Sequence, residues 1–164
     1  MQNRRLPIII LTVIAIFVLM ALSSSLFYTI EATERAVLFY PFGSGLDKGN
    51  IEGPGVHMKA PWNKVYVYEV NERSSDENMD VLDKSGMSLH VDITVRFFPM
   101  PDKIGFVHEK FTRDYVNVLI IPEVRSTVRQ VMGRYTAEEI YSTKRAEVEL
   151  AIKTESEKIL NANN

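Results

Sequence analysis

Apolar positions along this chain fall into three regimes. From Leu6 to Tyr28 they are almost continuous, with 18 apolar residues in 23 positions and no charge. Further on, Leu89, Val91, Ile93, Val95 and Phe97 alternate with His90, Asp92, Thr94 and Arg96. Period two over that length predicts a strand with one buried and one wet face. The turn chemistry of Asp83-Lys84-Ser85-Gly86 before it makes 79–98 a predicted hairpin. Beyond Pro99 and Pro101 the period becomes helical: Ile104, Val107 and Phe111 suit a short amphipathic helix over 102–111. Val116, Leu119, Ile120, Val124, Val128 and Val131 form a longer stripe, in which Pro122 either kinks the helix or starts a new one in its first turn. Thr136-Ala137-Glu138-Glu139 has the form of a capping box. The polar segment 143–160 follows as a helix with a thin apolar face, Val148, Ala151, Ile152 and Ile159, and a Glu149–Lys153 pair at i,i+4.

Between the apolar block and these elements, Ala36 to Tyr40 reads as the first strand and Val65 to Val70 as another, separated by a Gly- and Pro-rich stretch, 49–61. Strands followed by helices predict an α+β domain with helices packed on an antiparallel sheet. The predicted organisation is an anchor over 1–28 and one domain over 29–164.

The apolar block gives 22 uncharged residues from Leu6 to Phe27, about 33 Å as a helix, which matches a hydrocarbon core of about 30 Å. Its predicted membrane-facing residues are Leu6, Ile8, Leu11, Ile14, Phe17, Leu19, Leu22 and Phe27. Arg4 and Arg5 precede the block, and the first ionisable residues after it are Glu31 and Glu34. The positive-inside rule then places the N-terminus in the cytoplasm and the domain outside it, as a single-pass protein. The competing reading is a cleaved signal peptide, with Ala21 to Ser25 as the processing region, that releases a secreted or periplasmic binding module.

Charge and composition narrow the chemistry. All 21 Asp and Glu follow the apolar block, leaving the remainder mildly acidic, which argues against a nucleic-acid partner. With no Cys there are no disulfides, thiolate sites or Cys nucleophiles. His57, His90 and His108 match no metal-binding spacing, so structural or surface roles are expected and no cofactor is implied. The stretch 43–49 fails both phosphate-loop patterns and reads as a hairpin loop. Asp76, Glu77, Asp80 and Asp83 lack EF-hand spacing and read as a solvated loop. No nucleophile elbow is present, and no enzyme activity is expected.

A single N-terminal span followed by Glu34-Arg35-Ala36-Val37, then Gly53-Pro54-Gly55-Val56-His57, then Pro61-Trp62, resembles the SPFH or band 7 superfamily, prohibitins above all. The later order, with Asp114-Tyr115, the Pro122 helix and Tyr135 to Ile140, is similar too. The turn residues read as fold-determining: Gly53 and Gly55 for backbone freedom, Pro54 to limit it, and Trp62 to bury its ring. The resemblance implies a non-enzymatic membrane scaffold that contacts lipids. Its partners would be copies of itself or a related subunit, and it would organise membrane proteins and regulate a membrane-bound AAA protease. A bacterial inner membrane is favoured, since an Arg/Ser-rich transit peptide is absent; the mitochondrial inner membrane is the alternative. Because the chain as given stops at Asn164, before the family's closing strand and coiled coil, the domain is expected to be incomplete at that end.

Overall fold

The computed structural model describes residues 9–14, 16–17 and 26–163. They fall into two compact units, Met1–Val70 and Asn71–Asn164. Of the expected membrane-facing residues, Leu6, Ile8, Leu19 and Leu22 lie outside the described residues, as does most of the predicted span. Leu11, Ile14 and Phe17 are helical and more than half exposed. Among the described residues no helix is long and apolar enough to cross a membrane. Phe27 is not helical: it opens a strand, so a helical span must end before it.

The first unit is built from five short strands: β1 (Phe27–Ile30), β2 (Glu34–Tyr40), β3 (Gly45–Leu46), β4 (Gly55–Met58) and β5 (Lys64–Glu69). β2 is central, flanked by β3 and β5, both antiparallel to it. Its successive residues Ala36, Val37 and Leu38 are all buried, which explains why its sequence is a continuous apolar run rather than an alternating one. β1 and β4 form a separate antiparallel pair, with Tyr28 opposite His57 and Phe27 opposite Met58. The hairpin loop between β2 and β3 is 41–44 and not the expected 43–49, since Gly45 and Leu46 pair with β2 as a strand, and Gly45 follows the loop at φ +77°.

In the second unit, β6 (Arg73–Leu82) and β7 (Ser88–Phe97) form a ten-residue antiparallel hairpin. On β7 the even positions from His90 to Arg96 are exposed, whereas Leu89 is buried and the odd positions from Val91 to Phe97 are half-buried, as the period-two pattern predicts. Helices follow: α1 (Ile104–Phe111), α2 (Ile121–Met132) and α3 (Arg145–Ala162), with single wide turns at Val116–Ile120 and Glu139–Thr143. Pro122 lies in the first turn of α2, where its missing N–H costs no helical bond. α2 buries Ile121, Val124, Thr127, Val128, Val131 and Met132 along one stripe and packs against β6 and α3.

The α+β class with antiparallel pairing is thus observed, with three differences from the sequence reading. The strands form three small sheets rather than one. The hairpin begins at Arg73, so Asp76, Glu77 and Asp80 sit in a strand and not in a solvated loop. Cross-strand and helix partners outweigh their poor strand propensity: Thr94 Oγ1 donates to Asp76 at 2.7 Å, and Arg125 donates twice to Glu77 Oε2, at 2.6 and 2.9 Å. Finally, Glu149 pairs with Arg145 and Lys153 with Glu157, in place of a Glu149–Lys153 pair.

Candidate functional site

The Gly53-Pro54-Gly55-Val56-His57 stretch enters β4 through a turn that its own side chains close. His57 Nε2 donates to the carbonyl oxygen of Gly53 at 2.8 Å, tying the strand back to the start of the turn. The other ring nitrogen, Nδ1, lies 3.7 Å from Glu52 Oε2. Across the β1–β4 pair, the Tyr28 ring stacks on His57 with centroids 5.6 Å apart, and its hydroxyl donates to Glu52. The Glu52 backbone bridges to Ala36 in both directions, at 3.1 and 2.9 Å, fixing the turn against the central strand. Burial pushes the Glu52 carboxyl above its ordinary range, and the neighbouring His57 pulls it partly back. The cluster holds an acid, an imidazole and a phenol, each spent on another member or on the backbone. It fastens a turn.

The other motif residues act locally. Glu34 accepts from the Glu31 N–H at 3.1 Å, and Arg35 donates to the carbonyl oxygens of Glu34 and Ala32, so the pair shapes the turn into β2. Gly55 takes φ +136°, which only glycine adopts readily, whereas Gly53 does not use a positive φ. Pro61 and Trp62 lie in the tight turn before β5, where the Asn63 N–H donates to Ala60 O. Trp62 is not buried, contrary to the sequence expectation: it is 58% exposed, in the turn that leads into β5, an edge strand of the three-stranded sheet. Its ring meets Phe42, itself 86% exposed, edge to face at 6.4 Å. The Lys59 N–H donates to Leu26 O at 2.8 Å, bringing this turn beside the point where the apolar block joins β1. Phe27 and Met58, directly opposite each other there, are also exposed. Two exposed apolar pairs, Phe27 with Met58 and Phe42 with Trp62, thus face solvent in this unit, as side chains that meet a partner do.

Asp83, grouped by sequence with the solvated acids, is one of the few buried polar residues. Its Oδ1 accepts from the N–H groups of Ser85 and Met87, at 2.8 and 2.9 Å, and Oδ2 from the Ala137 N–H at 2.9 Å. The Ser85 hydroxyl also donates to it, at 2.8 Å. These bonds, the Ser85 hydroxyl first, hold its carboxyl below the usual range. Asp83 thereby clasps the hairpin turn to the capping box, where the Thr136 N–H donates to Glu139 and the Glu139 N–H to Thr136, at 3.0 and 3.4 Å. The spacing Asp83-x-Ser85 was a readable signal of an Asx turn. Tyr28, Glu52 and Phe42 carried no such signal. The histidines stay apart in role: His90 donates to Asp80 at 2.9 Å on the exposed face of the hairpin, and that bond together with the Asp92 charge raises its pKa. His108 sits on α1, its pKa lowered by burial and by Arg113.

The sequence matches the SPFH domain / Band 7 family over residues 28–163. The chain belongs to the SPFH/band 7 family. No curated protein matches it. The match takes in both compact units and every motif residue from Glu34 to Trp62, so the clamp at Tyr28, Glu52 and His57 belongs to the SPFH domain itself. SPFH proteins are in general membrane-associated and scaffold-like rather than enzymatic.

Proposed function

We propose that this SPFH chain is a single-pass, membrane-anchored scaffold subunit. Its apolar N-terminal block spans the bilayer with Arg4 and Arg5 in the cytoplasm, and its domain lies on the other side of a bacterial or mitochondrial inner membrane. The observation that carries this reading is the Lys59–Leu26 hydrogen bond, which ties the backbone three residues before the exposed Trp62 to the residue that precedes β1. Tryptophan and other amphipathic aromatics favour the membrane–water interface, so lipid headgroups are the partner that suits this end. The scaffold would assemble with its own copies or a related subunit and organise membrane proteins, a membrane-bound AAA protease among them, without catalysis of its own.

Alkaline extraction of membranes from expressing cells, with intact-mass analysis of the retained chain, tests the anchor. The full-length chain is expected in the membrane pellet, and detergent-extracted protein is expected to run as an oligomer in light scattering. Recovery in the soluble fraction with about 20 N-terminal residues removed would refute the anchor in favour of a released binding module.

A further inference from the structure

The hydrogen bonds of the Tyr28–Glu52–His57 clamp leave one gap. A carbonyl oxygen only accepts, so the 2.8 Å contact between His57 Nε2 and Gly53 O places a proton on Nε2. In the neutral imidazole Nδ1 is then a bare acceptor, and it lies 3.7 Å from Glu52 Oε2. That oxygen already accepts from the Tyr28 hydroxyl. With the carboxyl ionised, two acceptors face each other where both side chains are mostly sheltered, His57 being 28% and Glu52 18% exposed. The stacked Tyr28 ring and the Gly53 bond hold the imidazole in this orientation. One proton, on either atom, turns the contact into a hydrogen bond. Burial pushes the Glu52 carboxyl up and so favours keeping that proton.

We propose that Glu52 and His57 form a proton-operated catch on the β1–β4 pair: one proton held between Oε2 and Nδ1 closes it, and release of that proton as pH rises opens it. The proton belongs to the pair rather than to either residue. What the catch fastens follows from its attachments. Glu52 is bonded through its backbone to Ala36 of β2, at 3.1 and 2.9 Å, whereas Tyr28 and His57 lie opposite each other on β1 and β4. Closed, it ties both strands of the pair to the residue that bridges to the central sheet. Open, the side-chain hydrogen bond to Glu52 is that of the Tyr28 hydroxyl. β1 begins directly after the apolar block, so the catch governs how firmly the first strand of the domain is held. The charge acting on the Glu52 carboxyl is that of His57. Ionisable groups on the neighbouring elements are engaged elsewhere. On β2, Arg35 donates to the carbonyl oxygens of Glu34 and Ala32, and Glu34 accepts from the Glu31 N–H. Past β4, Lys59 Nζ donates to Asn63 O at 3.1 Å. On β5, Lys64 and Glu69 lie opposite Phe39 and Glu34, at the two ends of the pairing with β2 and away from Ala36. A carboxyl held up in the folded state stabilises fully below the ordinary carboxylate range and loses that contribution as pH rises through its folded value. The catch is therefore closed on the acid side.

Hydrogen–deuterium exchange of the full-length protein in detergent, corrected for intrinsic rates, reads the catch between about pH 5 and 8. Amide protection of β4, residues 55–58, is expected to fall about threefold as pH rises, while that of α2 in the other unit does not follow it. Glu52→Gln supplies a permanent donor, since its amide NH2 can reach Nδ1 whatever the pH. This variant is expected to keep the protected value throughout the range. Tyr28→Phe removes a hydroxyl but not the shared proton, and is expected to keep the pH dependence. Parent protection that is flat, or that falls together with α2, overturns the catch. So does a Glu52→Gln chain that retains the pH dependence or exchanges freely at every pH, because a mimic of the closed state does neither. A Tyr28→Phe chain without the dependence assigns the effect to the hydroxyl and overturns it equally.

Discussion

Replacing each glycine of the turn motif by alanine separates two positions that look equivalent in Gly53-Pro54-Gly55. At Gly55 a new Cβ would meet nothing closer than His57 Nε2 at 3.8 Å, so crowding is not the obstacle. The obstacle is the backbone: φ is +136°, in a region nearly closed to residues with a Cβ, and holding alanine there costs about 2 kcal/mol. Relaxing that angle would shift the first residue of β4, which faces the buried Ile30 across the β1–β4 pair, so relief is not free. At Gly53 no atom lies within 4 Å of the added Cβ and φ is ordinary, so alanine should stabilise by about 0.5 kcal/mol through a less flexible unfolded chain. The two variants should thus differ by about 2.5 kcal/mol in opposite directions from the parent. Urea unfolding in mild detergent, followed by the emission of Trp62, the sole tryptophan and a member of the same unit, reads this difference. With a slope of about 2 kcal/mol per molar urea, the midpoints should lie about 1 M apart. Equal midpoints, or a lower one for Gly53→Ala, would refute the assignment of the motif's glycine requirement to Gly55.

Other consequences follow from buried polar groups. The Thr127 hydroxyl is 1% exposed and has no hydrogen-bond partner among the described residues, so the isosteric Thr127→Val should raise stability by about 1 kcal/mol in urea unfolding followed by helical circular dichroism, whereas Thr127→Ser should lower it by about as much. Since its hydrogen bonds lower the Asp83 pKa, its stabilisation is present above the normal carboxylate range and lost as pH falls through the depressed folded value. Asp83→Asn should therefore lower stability at neutral pH and flatten the acid limb of a melting-temperature series. Glu52 has the opposite sign: its raised pKa gives stability that is full below the ordinary carboxylate value and lost as pH rises through the folded value. Glu52→Gln should remove that alkaline-side loss, seen as a flatter melting temperature across the same range.

How legible each element was depended on where its determinants lie in the chain. β7 and α2 carry theirs locally, as a period of two and a stripe at three and four, and the capping box declares itself within four residues. The start of β6 does not: Ser74 to Asn78 has the composition of a loop and becomes strand through Thr94 and Arg125, 18 and 48 residues from their partners. The clamp at Tyr28, Glu52 and His57 joins residues 24 apart, of which only His57 lay in a recognisable motif. Trp62 was misjudged because a large aromatic is usually buried. Its exposure beside Phe42 depends on where a turn ends in space, which no local pattern records.

The same exposure makes the central claim measurable. Reconstituted in vesicles whose lipids carry bromine at shallow acyl positions, the full-length chain should show strong quenching and a blue shift of its single tryptophan relative to unbrominated and detergent controls, since the proposed seating puts Trp62 at the headgroup boundary. An emission that stays red-shifted, quenched by aqueous iodide and indifferent to brominated lipid, would contradict a scaffold seated on the membrane through this end.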